Sequence, residues 1–180
     1  RQSRDTRSTE EGTIDDGNAK HGGQEALMIL DRVFIPWDKV FMHGEYEFAA
    51  MLVERFTCYH RRSYVCKTGL GDVLIGAAAT IADYNGIPNV SHIKDKLIEM
   101  THLNETIFAA GIASSHQGHK MKSGVYLNDD MLAQVCKHNV TRFPYEISRL
   151  AQDIAGGLVV TLPSEKDFRH PVTGPLLKKY

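Results

Sequence analysis

No excess of charge of either sign marks this chain. Its 180 residues hold 21 Lys and Arg against 22 Asp and Glu, a formal net charge of −1. No strongly basic surface is implied, so neither nucleic acid nor an anionic membrane is expected as a partner. Cysteine is scarce: Cys58, Cys66 and Cys136 make an odd set of three without the spacing of a disulfide framework, which points to a reducing, cytoplasmic setting. No apolar stretch is read as approaching the ~18 residues of a membrane span, and there is no signal-peptide pattern. Asn139-Val140-Thr141 fits a glycosylation acceptor, but nothing else points to secretion. The chain opens at Arg1 in what reads as the middle of a segment, so a piece of a longer protein is expected.

What is present is a core-forming composition, 42% hydrophobic and 24% charged, enough for one domain or a domain and a half. Residues 1 to 24 are polar and glycine-rich with no period, a long surface loop. Residues 25 to 43 carry Ala26-Leu27-Met28-Ile29-Leu30 and Val33-Phe34-Ile35-Pro36; Pro36 edges or ends a strand, so two short strands and a turn through Asp31-Arg32 are expected. From Glu45 onward the pattern is helical. One helix runs from Glu45 to about Lys67. A second, Asp72 to Tyr84, is apolar nearly all round, as in a helix buried inside a bundle, and Asn85-Gly86-Ile87-Pro88 ends it. Ser91 caps a long third helix that stops near Gly118. Asn128-Asp129-Asp130 opens a fourth, to about Val140, and Pro144 sits in the first turn of a fifth that ends at Gly156-Gly157. These form a mainly α, antiparallel bundle without internal repeats.

The chemistry concentrates in Tyr59-His60-Arg61-Arg62-Ser63-Tyr64-Val65-Cys66-Lys67, roughly two and a half helical turns carrying an imidazole, a thiol, a phenol and an ammonium. His60 and Tyr64 are i,i+4 and share a helix face. Lys67 is i+7 from His60, about 20° away around the axis, whereas Cys66 is i+6, about 120° away. A regular helix does not aim His60 and Cys66 at one metal; local unwinding near Val65 or a break before Gly69 is required. A histidine and a cysteine on a bundle helix are also ordinary core residues, and two ligands fall short of the four of a closed metal site.

The run Glu54-Arg55-Phe56 through Tyr59-His60-Arg61, Ser63-Tyr64, Cys66-Lys67 and Gly71-Asp72-Val73 resembles the 4-hydroxybutyryl-CoA dehydratase family. So do His21-Gly22-Gly23-Gln24-Glu25-Ala26-Leu27, Ala82-Asp83-Tyr84-Asn85-Gly86 and Ala151-Gln152-Asp153-Ile154-Ala155-Gly156-Gly157. The resemblance covers essentially the whole chain. It implies a flavoprotein of acyl-CoA dehydrogenase-like fold, related to the 4-hydroxyphenylacetate 3-hydroxylases, with FAD and a [4Fe-4S] cluster held by three cysteines and one histidine. The implied reaction is dehydration of 4-hydroxybutyryl-CoA to crotonyl-CoA, with isomerisation of vinylacetyl-CoA. The implied organisation is a loop and the end of a middle β domain over residues 1–44, a helical bundle over 45–160 and the start of a C-terminal extension over 161–180. A homotetramer, or association with a missing N-terminal part, is implied as well.

Residue by residue, His60 matches the cluster histidine, also the base for the substrate's C2 proton. Cys66 matches the third cluster cysteine and Lys67 the lysine after it; Tyr64 and Glu25 match active-site residues. The two remaining cluster cysteines belong to an N-terminal segment outside this chain, and a further carboxylate to a C-terminal one. One departure stands out: the family places two glycines between the tyrosine and the cysteine, and here only Val65 lies between. Gln152, Asp153, Gly156 and Gly157 resemble the segment that meets the flavin across a subunit contact in acyl-CoA dehydrogenases; a helix C-terminus is the plainer account of the glycines. Glu25, before an apolar strand, reads otherwise as a solvated strand end. His116 and His119 read as solvated histidines at a helix end. Arg55, Arg61 and Arg62 are candidates for phosphate contacts of CoA or FAD, or for surface ion pairs. Two further readings stay open: a cluster-free aromatic monooxygenase of the hydroxyphenylacetate type, and a non-catalytic helical assembly module.

Overall fold

A computed structural model describes residues 27–180. They fall into two compact units, one of Met42–Val160 and one that takes in residues up to Phe41 together with Thr161–Tyr180. The expected loop over 1–24 and the start of the first expected strand lie outside the described residues. Within 27–43 no strand forms; the backbone bends at Asp31 and Arg32, with Arg32 at φ 52°, and makes a 3₁₀ turn over Trp37–Lys39. The expected pair of strands is therefore corrected for these residues. A strand is held by its neighbour's ladder, and the apolar side chains here have none to lie on: Leu27 is 85% and Phe34 86% exposed.

The Met42–Val160 unit is built on a continuous helical rod. After a 3₁₀ turn at Tyr46–Phe48, α1 covers Ala49–Ser63 and α2 covers Lys67–Tyr84. Between them Tyr64–Cys66 tightens into 3₁₀ geometry, with Tyr64 at φ −61°, ψ −11°. The first expected helix thus leaves α geometry at Ser63, and the second starts five residues before Asp72. The rod ends as expected: Gly86 takes φ +70° and the Ile87 N–H donates to the Ala82 carbonyl at 2.9 Å, a paired-bond C-cap open to glycine because it needs a left-handed residue.

The expectation that α2 is buried all round is corrected. Gly71, Ala78 and Ala82 are buried, but Leu70 and Val73 are 56% and 66% exposed, because the neighbouring helices cover one side only. By length and composition alone the run Tyr46–Tyr84 is long and apolar enough to cross a membrane. The expectation that no apolar stretch approaches a membrane span is corrected by this run, whose apolar residues are broken by Lys67 and Asp72. An uncovered apolar helix face equally suits contact with another protein body.

The third helix, α3 (Ser91–His116), runs antiparallel to the rod. Val90, not Ser91, occupies its N-cap position, and no side chain caps it. A two-stranded hairpin follows, β1 (His119–Lys120) paired with β2 (Tyr126–Leu127) and turned through Gly124 at φ +87°; its strands are too short to leave a periodic pattern. Asp129 then caps α4 (Asp130–Val140), its carboxylate accepting the Leu132 N–H at 2.8 Å. α5 (Phe143–Ile154) carries Pro144 in its first turn. Consecutive α4 and α5 lie along the groove between α3 and the rod. One cluster joins Ala78 and Ala82 to Ile93, Met100, Leu103, Ile147, Leu150 and Ile154; a second joins Ile107, Ala110 and Cys136, with Val65 packed against it. Each large aliphatic side chain so buried stabilises the fold by about 1.5–3 kcal/mol before entropy is counted.

In the other unit, α7 (Glu165–Arg169) and α8 (Thr173–Lys179) pack on each other after the short α6 (Leu158–Thr161). Gly174 lets them meet: a Cβ there would stand 2.3 Å from the Phe168 carbonyl oxygen.

The approach of α3 to the rod is closest at two glycines. A Cβ on Gly71 would lie 2.0 Å from Asn104 Oδ1, whereas nothing among the described residues stands within 4 Å of one on Gly76. Gly71→Ala is expected to destabilise the full-length protein by roughly 1–3 kcal/mol through overpacking, and Gly76→Ala to stabilise it by up to ~1 kcal/mol. Urea denaturation of the two variants side by side tests this; equal midpoints would contradict it.

Candidate functional site

Three aromatic rings stack along the outer face of α1. Phe56 lies face to face with His60, centroids 5.4 Å apart, and Tyr64 meets His60 edge-on at 4.9 Å. Their i,i+4 spacing puts them on one stripe. His60 Nε2 and the Tyr64 hydroxyl are 3.1 Å apart, a hydrogen bond. Lys137 of α4 sets its Nζ 3.8 Å from the centre of the Tyr64 ring, a cation–π contact that fixes the phenol's plane. His60 is exposed at the edge of an open groove of about 640 Å³ lined by Phe48, Met51, Leu52, Arg55, Phe56 and Tyr59. Tyr59 donates its hydroxyl to the Tyr126 carbonyl of the hairpin.

Cys66 closes the 3₁₀ turn and Lys67 begins α2; both are exposed. Three residues wound at 120° rather than 100° narrow the angle between His60 and Cys66 from about 120° to about 60°. The expected local unwinding is corrected: modest unwinding would widen that angle, and the turn is tightened instead. Of the three cysteines only Cys66 is exposed. Cys58 is buried with its thiol donating to the Asn128 carbonyl at 3.4 Å, and burial, reinforced by nearby Asp130, holds that thiol protonated above its ordinary range. Burial does the same for Cys136. Both are poor nucleophiles and ligands. Among the described residues no three of His, Cys, Asp and Glu come together as a metal site.

Glu25 lies outside the described residues. Gln152 is exposed at the end of α5. Asp153 is engaged by Lys96 of α3 at 2.7 Å, and that hydrogen bond and charge hold its carboxyl below the ordinary carboxylate range. Gly156 and Gly157 take φ +66° and +82°, and the Gly157 N–H returns to the Gln152 carbonyl at 3.4 Å. The pair has a backbone reason to be glycine as the end of α5, and nothing among the described residues stands within 4 Å of a Cβ built on either. Arg62 is no surface cation: its Nε donates to Ser115 Oγ at 2.6 Å across to α3. His116 and His119 are exposed on either side of Gly118. Phe56 and Lys137 were not legible as site residues. Phe56 could have been found four residues before His60; Lys137 carries no local signal, because only the packing of α4 on α1 brings it there.

The helical unit is the C-terminal region of an acyl-CoA dehydrogenase-like fold. A family model described as HpaB, 4-hydroxyphenylacetate 3-hydroxylase C terminal, matches residues 49–180, and the chain belongs to that family. It is 63% identical over 171 residues to 4-hydroxybutyryl-CoA dehydratase/vinylacetyl-CoA-Delta-isomerase of Clostridium aminobutyricum, covering 94% of this chain and 35% of that protein. The structure of an oxygen-tolerant archaeal 4-hydroxybutyryl-CoA dehydratase from N. maritimus is 93% identical with a TM-score of 0.91, over 100% of this chain and 36% of that one. The oxygenase component of 4-hydroxyphenylacetate 3-monooxygenase complexed with FAD is 26% identical with a TM-score of 0.72, over 84% of this chain and 32% of that one. The chain spans about a third of the length of the relatives it matches.

The Lys96–Asp153 bridge has a checkable pH signature. Because the folded Asp153 titrates lower than an unfolded aspartate, its contribution is present above ~pH 4 and is lost as pH falls through the folded value. Lys96→Met should therefore lose less stability than the parent on acidification from pH 7 to about pH 2, measured by urea midpoints in the full-length proteins; parallel losses would exclude the effect.

Proposed function

We propose that this chain is part of an enzyme that dehydrates 4-hydroxybutyryl-CoA to crotonyl-CoA and isomerises vinylacetyl-CoA, using FAD and a [4Fe-4S] cluster. The carrying observation is the contrast in identity: 63% and 93% to two proteins of that name against 26% to a flavin-dependent monooxygenase component. A cytoplasmic location and assembly into a homotetramer belong to the same reading.

The residues fit the two cofactors in part. For the cluster, His60 and Cys66 are both exposed, a nitrogen and a thiol of the kinds iron ligation needs; the other two cysteines would come from outside this chain. For FAD, the groove offers aromatic and aliphatic walls with the Arg55 cation beside them, the lining expected of a cofactor cleft. When bound, flavin supplies one-electron chemistry and the iron Lewis acidity.

This chain's side chains do the proton work. The hydrogen bond to Tyr64 engages His60 Nε2. If Nε2 carries the proton and donates it to the phenol oxygen, Nδ1 keeps a lone pair, the tautomer a base or ligand requires. A single nitrogen is then left for both duties, so ligation and abstraction of the C2 proton compete for it. The Tyr64 hydroxyl stabilises the imidazolium once Nδ1 is protonated. Lys137 keeps the phenol in place, and Lys67 and Arg55 supply positive charge for the enolate or the acyl-CoA phosphates. In this reading Glu25 is a further catalytic residue, and Gln152, Asp153, Gly156 and Gly157 contact the flavin. The cluster-free monooxygenase reading is favoured by one observation, the single residue between Tyr64 and Cys66.

Iron, sulfide and the visible spectrum of the full-length protein separate the two readings, since flavin and iron–sulfur bands differ. His60→Ala is expected to abolish turnover of 4-hydroxybutyryl-CoA, and Tyr64→Phe to lower kcat about 10–100-fold, the usual effect of losing a partner that orients a ligand or base. Cys66→Ala is expected to lose bound iron while keeping flavin. Appreciable dehydration by the His60 variant would remove its proposed role.

A further inference from the structure

We propose that Gly111 and Asn104 of α3 are positioning residues that hold the overwound turn Tyr64–Cys66 and so set the direction of the Cys66 thiol relative to His60. The inference rests on the cluster reading above and adds two residues that touch neither ligand.

The turn is clamped from α3 at three levels. At its centre Val65 packs against Gly111, where a Cβ would stand 2.6 Å from both Val65 Cβ and Cγ2; only glycine leaves that seat open. Before the turn, Arg62 Nε donates to Ser115 Oγ at 2.6 Å. After it, Asn104 Nδ2 donates to the Thr68 carbonyl at 3.1 Å and to Asp72 Oδ1 at 2.8 Å. Asn104 is 2% exposed on a helix face otherwise occupied by Met100, Leu103 and Ile107, where a buried amide is costly unless its bonds are needed.

Side chains also reach carbonyls around the turn. The Cys136 thiol reaches the Arg62 carbonyl at 3.9 Å, Thr68 Oγ1 donates to the Val65 carbonyl at 2.8 Å, and Asn104 serves Thr68. Without the clamp, relaxation to a uniform α-helix would rotate Cys66 back by about 60° relative to His60. The tightened turn thereby compensates for the single residue between Tyr64 and Cys66.

The test uses the full-length protein and reads iron and sulfide per subunit, the cluster absorption relative to flavin, and far-ultraviolet circular dichroism. Gly111→Ala should lose at least half the iron while retaining flavin and helicity. Val65→Ala combined with Gly111→Ala should regain it, because the smaller side chain reopens the seat. Asn104→Ala should lose iron at least twofold, and Gly76→Ala, with open space around its Cβ, should match the parent. Full iron in the Gly111 variant, or no recovery in the double variant, overturns the proposal while leaving the cluster reading intact. Should Gly111→Ala not fold, full iron in Asn104→Ala overturns it instead. Absence of iron from the parent protein would overturn the cluster assignment itself, and this proposal with it.

Discussion

The close approach of α3 to the rod of α1 and α2 is the constraint on which this fold depends. It is reciprocal. Val65 of the rod fills the space left by Gly111 of α3, and Asn104 of α3 fills the space left by Gly71 of the rod. Two side chains and two glycines interlock at the level where the helix changes its winding. Close packing of this kind tolerates little volume change, so the geometry of the Tyr64–Cys66 turn is passed to α3 and from there to α4 and α5 through the two apolar clusters.

Polar groups fix the ends of the same interface. Asn128, 5% exposed, ties the hairpin to α1 and α3 by donating to the Cys58 carbonyl at 3.3 Å and to Ser114 Oγ at 3.1 Å. Ser114 in turn donates to the Asp129 carbonyl at 2.8 Å, anchoring the N-terminus of α4. These bonds set the register of α4 on α1, and it is that register which brings Lys137 over Tyr64. The same core bonds that hold the bundle together therefore orient a side chain at its surface. Buried polar networks cost desolvation and return specificity of arrangement; here the specificity is positional.

The exposed side of the rod has a different character. Phe48, Met51, Leu52 and Phe56 stand open beside His60, and Leu70 and Val73 continue the apolar face along α2. An exposed apolar face of this kind suits contact with another protein surface. His60 lines that groove, and Cys66 is exposed six residues further along the rod.

Local patterns in the sequence determined a good deal: the helical periodicities, the stop at Gly86, the cap at Asp129, Pro144 in a first turn and the His60–Tyr64 spacing. Each follows from the chain's own backbone preferences or from neighbours three and four residues apart. The motif around His60 also sufficed to indicate the family. Tertiary structure alone decided the rest. Periodicity cannot report whether an apolar face meets a partner, so α2 read as buried all round, and residues 27–43 read as strands although no partner ladder is present among the described residues. The 3₁₀ turn, Lys137 over the Tyr64 ring, and the contrast between exposed Cys66 and buried Cys58 and Cys136 all arise from contacts between residues tens of positions apart. Such contacts exist only once α3 and α4 have packed on the rod, and no local stretch of sequence records them.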